Sequence, residues 1–358
     1  MQTFQQDNKT NQDSPTNNVN SDQESHLSTV SNQNSLGKPS LSPSLAKTTE
    51  GDDFVSASYC QRHNIIIACF LDSTIKFYDA TTLLPSKGRE TKQLDGCVTC
   101  MSYHEATDTF LIGCDSGFIY TYNAGNDELK LLRNCGEDAR MRRVVFVNSR
   151  FYAFGYLRLK GLAIGSLENE DIYKVGPQNS DCSDLVSLPE RGLLVSSYEN
   201  GSVRAYRTNK PPNLKAICSV KAHQGGQWVP TIENINANGK EYTVTAGSDR
   251  TVKIWHLVKG KMRLLRVIQT EERVYQFVYL EKYKMIAAPR ESFKEIRFWS
   301  ILSGKLERTF VYSESREIWH LFLMKDRNMI GGVSGKSELE YRCDSTEFIQ
   351  LHPPQGAE

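Results

Sequence analysis

Long hydrophobic runs are missing from this 358-residue chain, and so is an excess of either charge. No apolar stretch approaches the roughly 18–20 residues that cross a bilayer, so no membrane-spanning helix is expected. Lys and Arg number 43 against 42 acidic residues, a net charge of +1. Such a balance gives no strong field for DNA or an anionic membrane, and no DNA partner is expected. The first residues, MQTFQQDNKT, have neither an apolar core nor a basic lead-in and do not read as a secretory signal. Metal-ligand spacing is also lacking: the seven His residues form no HxH or HxxxH pair. There is no GxxxxGK[ST] and no GxSxG. Nine cysteines are an odd number, scattered through strand-like runs, which fits buried thiols in a reducing compartment. Cys97 and Cys100 form a lone CxxC inside a strand pattern, without the second ligand pair of a zinc site. Neither a metal nor a cofactor is expected, and a cytoplasmic or nuclear location is.

What is there falls into two materials. Gln, Asn, Ser and Thr supply 28 of the first 50 residues, and Phe4 is the only aromatic among them. Such a segment cannot bury enough apolar surface to offset its conformational entropy, so residues 1–52 are expected to be a disordered tail. The tail carries Ser14-Pro15 and Ser42-Pro43, and Leu41 to Ala46 has the makings of an extra edge strand. From residue 53 to 352 the chain turns into short alternating runs punctuated by Gly, Asn, Asp and Ser, with scarcely any helical periodicity. That is the pattern of an all-β domain. Residues 353–358 are left as a short extension.

The most informative segment is GSDRTVKIWHL, Gly247 to Leu257: a tight turn followed by one alternating strand. It resembles the end of a WD-repeat, with His256 where the second namesake residue of that family stands. Aligned on its Trp255, fainter copies place Tyr78, Tyr122, Ser166, Tyr206, Trp299 and Tyr341 at intervals of 44, 44, 40, 49, 44 and 42 residues. Seven units near 44 residues match the period of propeller blades. A four-stranded sheet cannot cover both of its own faces, and stacking around an axis does so. The expectation is a seven-bladed β-propeller of four-stranded antiparallel blades, with TEFIQL (346–351) completing the seventh as its fourth strand; whether the ring closes by mixing strands from both ends of the chain, by packing alone or by docking part of the tail is left open.

The resemblance also implies roles. In WD-repeats a His before the first strand, a hydroxyl on the second, an Asp in the next turn and a Trp on the third form a hydrogen-bonded chain. The matching residues are His223, Thr245, Asp249 and Trp255, a structural network rather than a catalytic triad. No catalytic residue is assigned. Partner binding in this family uses the loops before the first strand and between the second and third. There blades one and two carry Asp72 and Asp115, while blades five to seven carry Arg250, Arg290, Lys294 and Lys336. Such a basic arc suits an acidic or phosphorylated peptide, and Trp228 is the aromatic anchor beside it. The function expected is a non-catalytic scaffold or adaptor, a monomeric ring within a larger complex. Two other readings stay open: a hydrolase with a metal in the central channel, and a propeller that meets phosphoinositide or RNA through the basic arc.

Overall fold

The computed structural model describes residues 43–47, 54–136, 139–157, 160–175, 179–209, 214–223, 228–290, 295–311, 317–327, 329–335, 337–338, 342–343 and 347–351. At 43–47, 54, 317–319 and beyond 332 the description is of the backbone. The architecture is an all-β propeller of four-stranded antiparallel blades. Six blades are meanders of consecutive strands. Blade one runs Phe54–Cys60, Ile65–Phe70, Thr74–Asp79 and Lys92–Gln93, and blade two Val98–His104, Thr109–Cys114, Phe118–Asn123 and Glu128–Asn134. Blade three is Met141–Phe146, Phe151–Tyr156, Leu162–Ser166 and Ile172–Val175. Blade four is Cys182–Leu188, Leu193–Tyr198, Ser202–Arg207 and Ala216–Lys221. Blade five is Thr231–Ala237, Lys240–Gly247, Thr251–Val258 and Lys261–Gln269. Blade six is Val278–Leu280, Met285–Pro289, Glu295–Ser300 and Leu306–Val311.

A further four-stranded sheet closes the ring with both ends of the chain. From the inside outward it is Glu317–Met324, Met329–Gly335, Glu347–Leu351 and Pro43–Lys47. One expectation is corrected here, and one alternative, an edge strand at Leu41 to Ala46, is taken up. The 347–351 run is the third strand rather than the outermost, paired Ile330 to Leu351 with its neighbour. The outermost strand comes from the segment set apart as tail, with Leu45 opposite Ile349. An unpaired edge of backbone donors and acceptors is thereby covered. Tyr341, the expected repeat position of this unit, lies outside the described residues, as do 1–42 and 353–358.

Burial follows distance from the axis. The second strand of blade one, Ile65–Phe70, is buried throughout, whereas the outer strand of blade two, Glu128–Asn134, is half to fully exposed. Apolar clusters fill every junction between neighbouring sheets. Ile67, Phe77, Phe110 and Tyr122 join blades one and two; Val244, Ile254, Phe277 and Trp299 join five and six. Phe298 meets Leu321 and Ile330 between blade six and the closing sheet. Ile66 and Tyr78 meet Phe322 and Met324 between that sheet and blade one. The eight cysteines whose side chains are described are all free, and five of them are buried. As the sequence suggests, they serve as small apolar side chains.

Candidate functional site

All the inner strands run the same way around a central channel of about 840 Å³. Its wall takes residues from each of the six blades and from the closing sheet, including Ser56, Thr99, Arg143, Asp184, Glu233, Gln276 and His320. The rim at the starts of the inner strands is shaped by a recurring irregularity. The ladder to the second strand slips between Phe54 and Ser56, Val98 and Cys100, Met141 and Arg143, and Cys182 and Asp184. A bulge there re-aims the extra residue, and in blades three and four that residue is Arg142 and Ser183. Both turn to Trp228, which precedes the inner strand of blade five. The indole N–H donates to Ser183 Oγ at 2.8 Å. The Arg142 guanidinium lies 5.5 Å from the indole centroid, and the Tyr275 ring 5.8 Å away at 56°. Trp228 is thus half-exposed at the rim, held in one orientation by two neighbouring blades and by the segment leading into blade six.

Below the rim the channel wall is polar and charged. Arg143 Nε lies 3.1 Å from Asp184 Oδ1, an ion pair whose N–H does not point along the contact. The carboxylate is used structurally. Leu185 N–H donates to Oδ1 at 2.8 Å and Ile232 N–H to Oδ2 at 2.9 Å, tying blade four to blade five. Burial pushes Asp184 up from the usual carboxylate range, while Arg143 and these amides pull it back. Burial pushes Glu233 up to about 8, with Arg143 opposing and Asp184 reinforcing. His320 is pushed the other way, to about 4, because burial penalises its charged form. Neutral, its Nε2–H donates to Ala57 O at 3.0 Å and its Nδ1 accepts from the Gln276 amide at 3.2 Å, linking blade one, the closing sheet and the entry to blade six. Sequence reasoning missed Asp184, Glu233 and His320, because each sits in an apolar-alternating run that looks like plain inner strand.

The Glu233 shift has a measurable consequence. Its folded pKa lies above that of an unfolded glutamate, so the folded state holds the proton longer. The stability it lends is complete below about pH 4.5 and is lost as pH rises towards 8. Glu233→Gln removes that slope. The variant should gain about 2 kcal/mol on its parent between pH 5 and pH 8, less than full linkage because the channel admits solvent. Urea titrations at the two pH values measure it; an equal difference at both would contradict the assignment.

The four residues of the expected structural network come together in blade five. His223 Nδ1–H donates to Asp249 Oδ1 at 2.7 Å, and its Nε2 accepts from Thr245 Oγ1 at 2.9 Å. Thr245 Oγ1 in turn accepts from Trp255 Nε1–H at 2.9 Å. Burial draws His223 below its usual range even against the pull of Asp249, and Asp249 is itself held low by Thr251 and His223. A neutral imidazole facing a carboxylate satisfies both. The hydroxyl and the ring are closed in by Trp255, which leaves no place for a substrate.

The basic arc fares differently. Arg250 is exposed in the turn between the second and third strands of blade five, at φ 61°. Ser248 N–H donates to Trp228 O at 2.8 Å, so this turn and Trp228 share the rim. Arg290 is already paired, with Glu272 at 2.6 Å and Glu295 at 3.4 Å, so it offers little uncompensated charge. Lys294 and Lys336 lie outside the described residues. On the acidic side, Asp72 accepts from Thr74 N–H at 2.9 Å and Asp115 from Cys97 N–H at 2.9 Å, both holding turns in shape.

The sequence profile of the WD domain, G-beta repeat, matches residues 212–256. The chain carries a WD repeat in a propeller fold. The matched stretch ends with the third strand of blade five and contains all four residues of the hydrogen-bonded chain, the best preserved copy of the motif. Among solved structures, the β-propeller domain of Cps50 (Swd1) from Myceliophteria thermophila superposes with a TM-score of 0.71 at 12% identity, covering 86% of this chain and 99% of that one. At that identity the likeness is one of fold. No curated protein sequence matches the chain. Within the WD-repeat propeller, the hydrogen-bonded chain of blade five belongs to the scaffold, and the rim residues around Trp228 are left to face solvent.

Proposed function

We propose that this WD-repeat propeller is a non-catalytic interaction scaffold, working inside the cell as one subunit of a multi-protein complex. In this reading the closing sheet is the seventh blade, and the ring is rigid enough to present its rim without rearrangement. The observation that carries the proposal is Trp228: a half-exposed indole immobilised by Ser183, Arg142 and Tyr275 at the mouth of the channel. Large aromatic side chains flanked by arginine dominate binding hot spots, and an orientation fixed in advance lowers the entropic cost of association. Arg250 on the same rim is exposed and has no ion pair among the described residues, and its positive charge suits an acidic or phosphorylated segment of a protein partner.

A hydrolase reading finds little support in the channel, where both Asp184 oxygens accept from backbone amides and Arg143 sits beside them. A phosphoinositide or RNA reading loses one of its charges to Glu272 and Glu295. Affinity capture of the full chain against Trp228→Ala and Arg250→Glu tests the proposal. Trp228→Ala should weaken partner recovery at least about tenfold, the scale of a hot-spot truncation. Arg250→Glu should weaken it less and with stronger salt dependence. Undiminished recovery in both variants would count against the rim.

A further inference from the structure

The opposite end of the ring carries a second chemical cluster. Blades one and two each leave their inner strand through a one-turn 3-10 helix, Gln61–His63 and Glu105–Thr107, that ends on a left-handed residue, Asn64 at φ 53° and Asp108 at φ 52°. Cys60 is the last residue of the blade-one inner strand, so Cys60 and His63 stand at the two ends of the first turn. Asp108 approaches them from the equivalent turn of blade two. One sulfur, one imidazole nitrogen and one carboxylate oxygen then lie within 4.8 Å of one another, the only such group of three among the described residues. His63 Nε2 is 2.6 Å from Asp108 Oδ2. The other oxygen, Oδ1, accepts from Tyr103 O–H at 2.7 Å, which fixes the carboxylate with Oδ2 turned into the cluster.

We propose that Cys60, His63 and Asp108 form a binding site for a zinc-class divalent cation that clamps blade one to blade two. Thiolate, imidazole and carboxylate together are a borderline donor set that suits Zn²⁺, whereas Mg²⁺ and Ca²⁺ require oxygen ligands. Zinc binds such donors at about 2.0–2.3 Å, so its ligand atoms stand roughly 3–4 Å apart, within reach of small side-chain rotations here. Tyr103 takes the part of an outer partner that orients a ligating carboxylate. Cys60 is fully buried and Asp108 nearly so, but the His63 side chain is 25% exposed, which leaves a fourth position open to water. The cluster was invisible to spacing rules because its ligands come from two blades 45 residues apart.

The test uses the full chain, loaded with Zn²⁺, desalted and assayed for metal by mass spectrometry, with Co²⁺ as the optical probe. About one equivalent of zinc is expected, with a thiolate-to-cobalt charge-transfer band in the near ultraviolet. Cys60→Ser should abolish the band, while Cys97→Ser should keep it. His63→Gln, at a partly exposed position, should weaken zinc affinity at least about tenfold. Absence of stoichiometric metal in the loaded parent, or an unchanged affinity in His63→Gln, would overturn the site and leave His63, Asp108 and Tyr103 as a hydrogen-bonded staple only.

Discussion

Asp249→Ala is expected to lower the stability of the ring by about 3 kcal/mol, because a buried acceptor with several donors is removed at once. His223 Nδ1–H, with a side chain that is 0% exposed, loses its carboxylate partner and keeps only the longer contact to Thr251 Oγ1 at 3.2 Å. Thr251 loses two bonds, from N–H at 3.2 Å and from Oγ1 at 2.7 Å, and Lys253 Nζ loses a charge partner at 3.5 Å. The disturbance travels along the chain of bonds. An imidazole free to turn no longer fixes Thr245, and Thr245 is what receives the Trp255 indole N–H. Asp249→Asn should recover part of the loss, since its carbonyl still accepts from the imidazole. Calorimetry of the three proteins measures this directly. A melting temperature for Asp249→Ala equal to the parent's would show that the network carries no load.

Gly165→Val is expected to cost about 3 kcal/mol or more by overpacking. Gly165 lies opposite Tyr152 in the antiparallel ladder of blade three. Tyr152 is fully buried, and its ring lies across the glycine in the space a side chain would take. A Cβ there would stand inside the Tyr152 ring. The ring cannot swing away, because it also stacks on Phe154 with centroids 5.6 Å apart. The same pairing recurs in the closing sheet, where Gly331 faces Phe322. A glycine covered by an aromatic across the ladder restores the packing that glycine alone gives up. Equilibrium unfolding checks it, and a loss below about 1 kcal/mol would mean the blade relaxes more than close packing allows.

How far the residues announce this structure varies with the kind of signal. The four strands of blade five can be read from WVPTIENI, YTVTAG, TVKIWHL and RLLRVIQ, since each alternates and each break carries a turn residue. The hydrogen-bonded partners of Asp249 are legible for the same reason: spacing within one blade is spacing along the chain. Contacts between blades carry no such signal. Asp184 reaches the Ile232 amide across 48 residues, and His320 reaches Ala57 across 263. Chain closure is of this kind too. Strand 347–351 reads as an outermost strand until Pro43–Lys47 is seen to pair beyond it. Within the basic arc, Arg290 shows a different limit of pattern reading. Charge was counted at Arg290 without its neighbours, and Glu272 and Glu295 lie close enough to neutralise it.

The claim at the centre of this account is that partners meet the rim around Trp228 and not the opposite end of the ring. Amide hydrogen exchange on the complex captured with the full chain, compared with the isolated chain, tests it in one measurement. Protection should rise at residues 228–232 and 247–251, which form the rim at blade five, and stay unchanged at 105–108 and 190–192, in the turns at the far end. Protection gained at the far turns, with the rim unchanged, would contradict it.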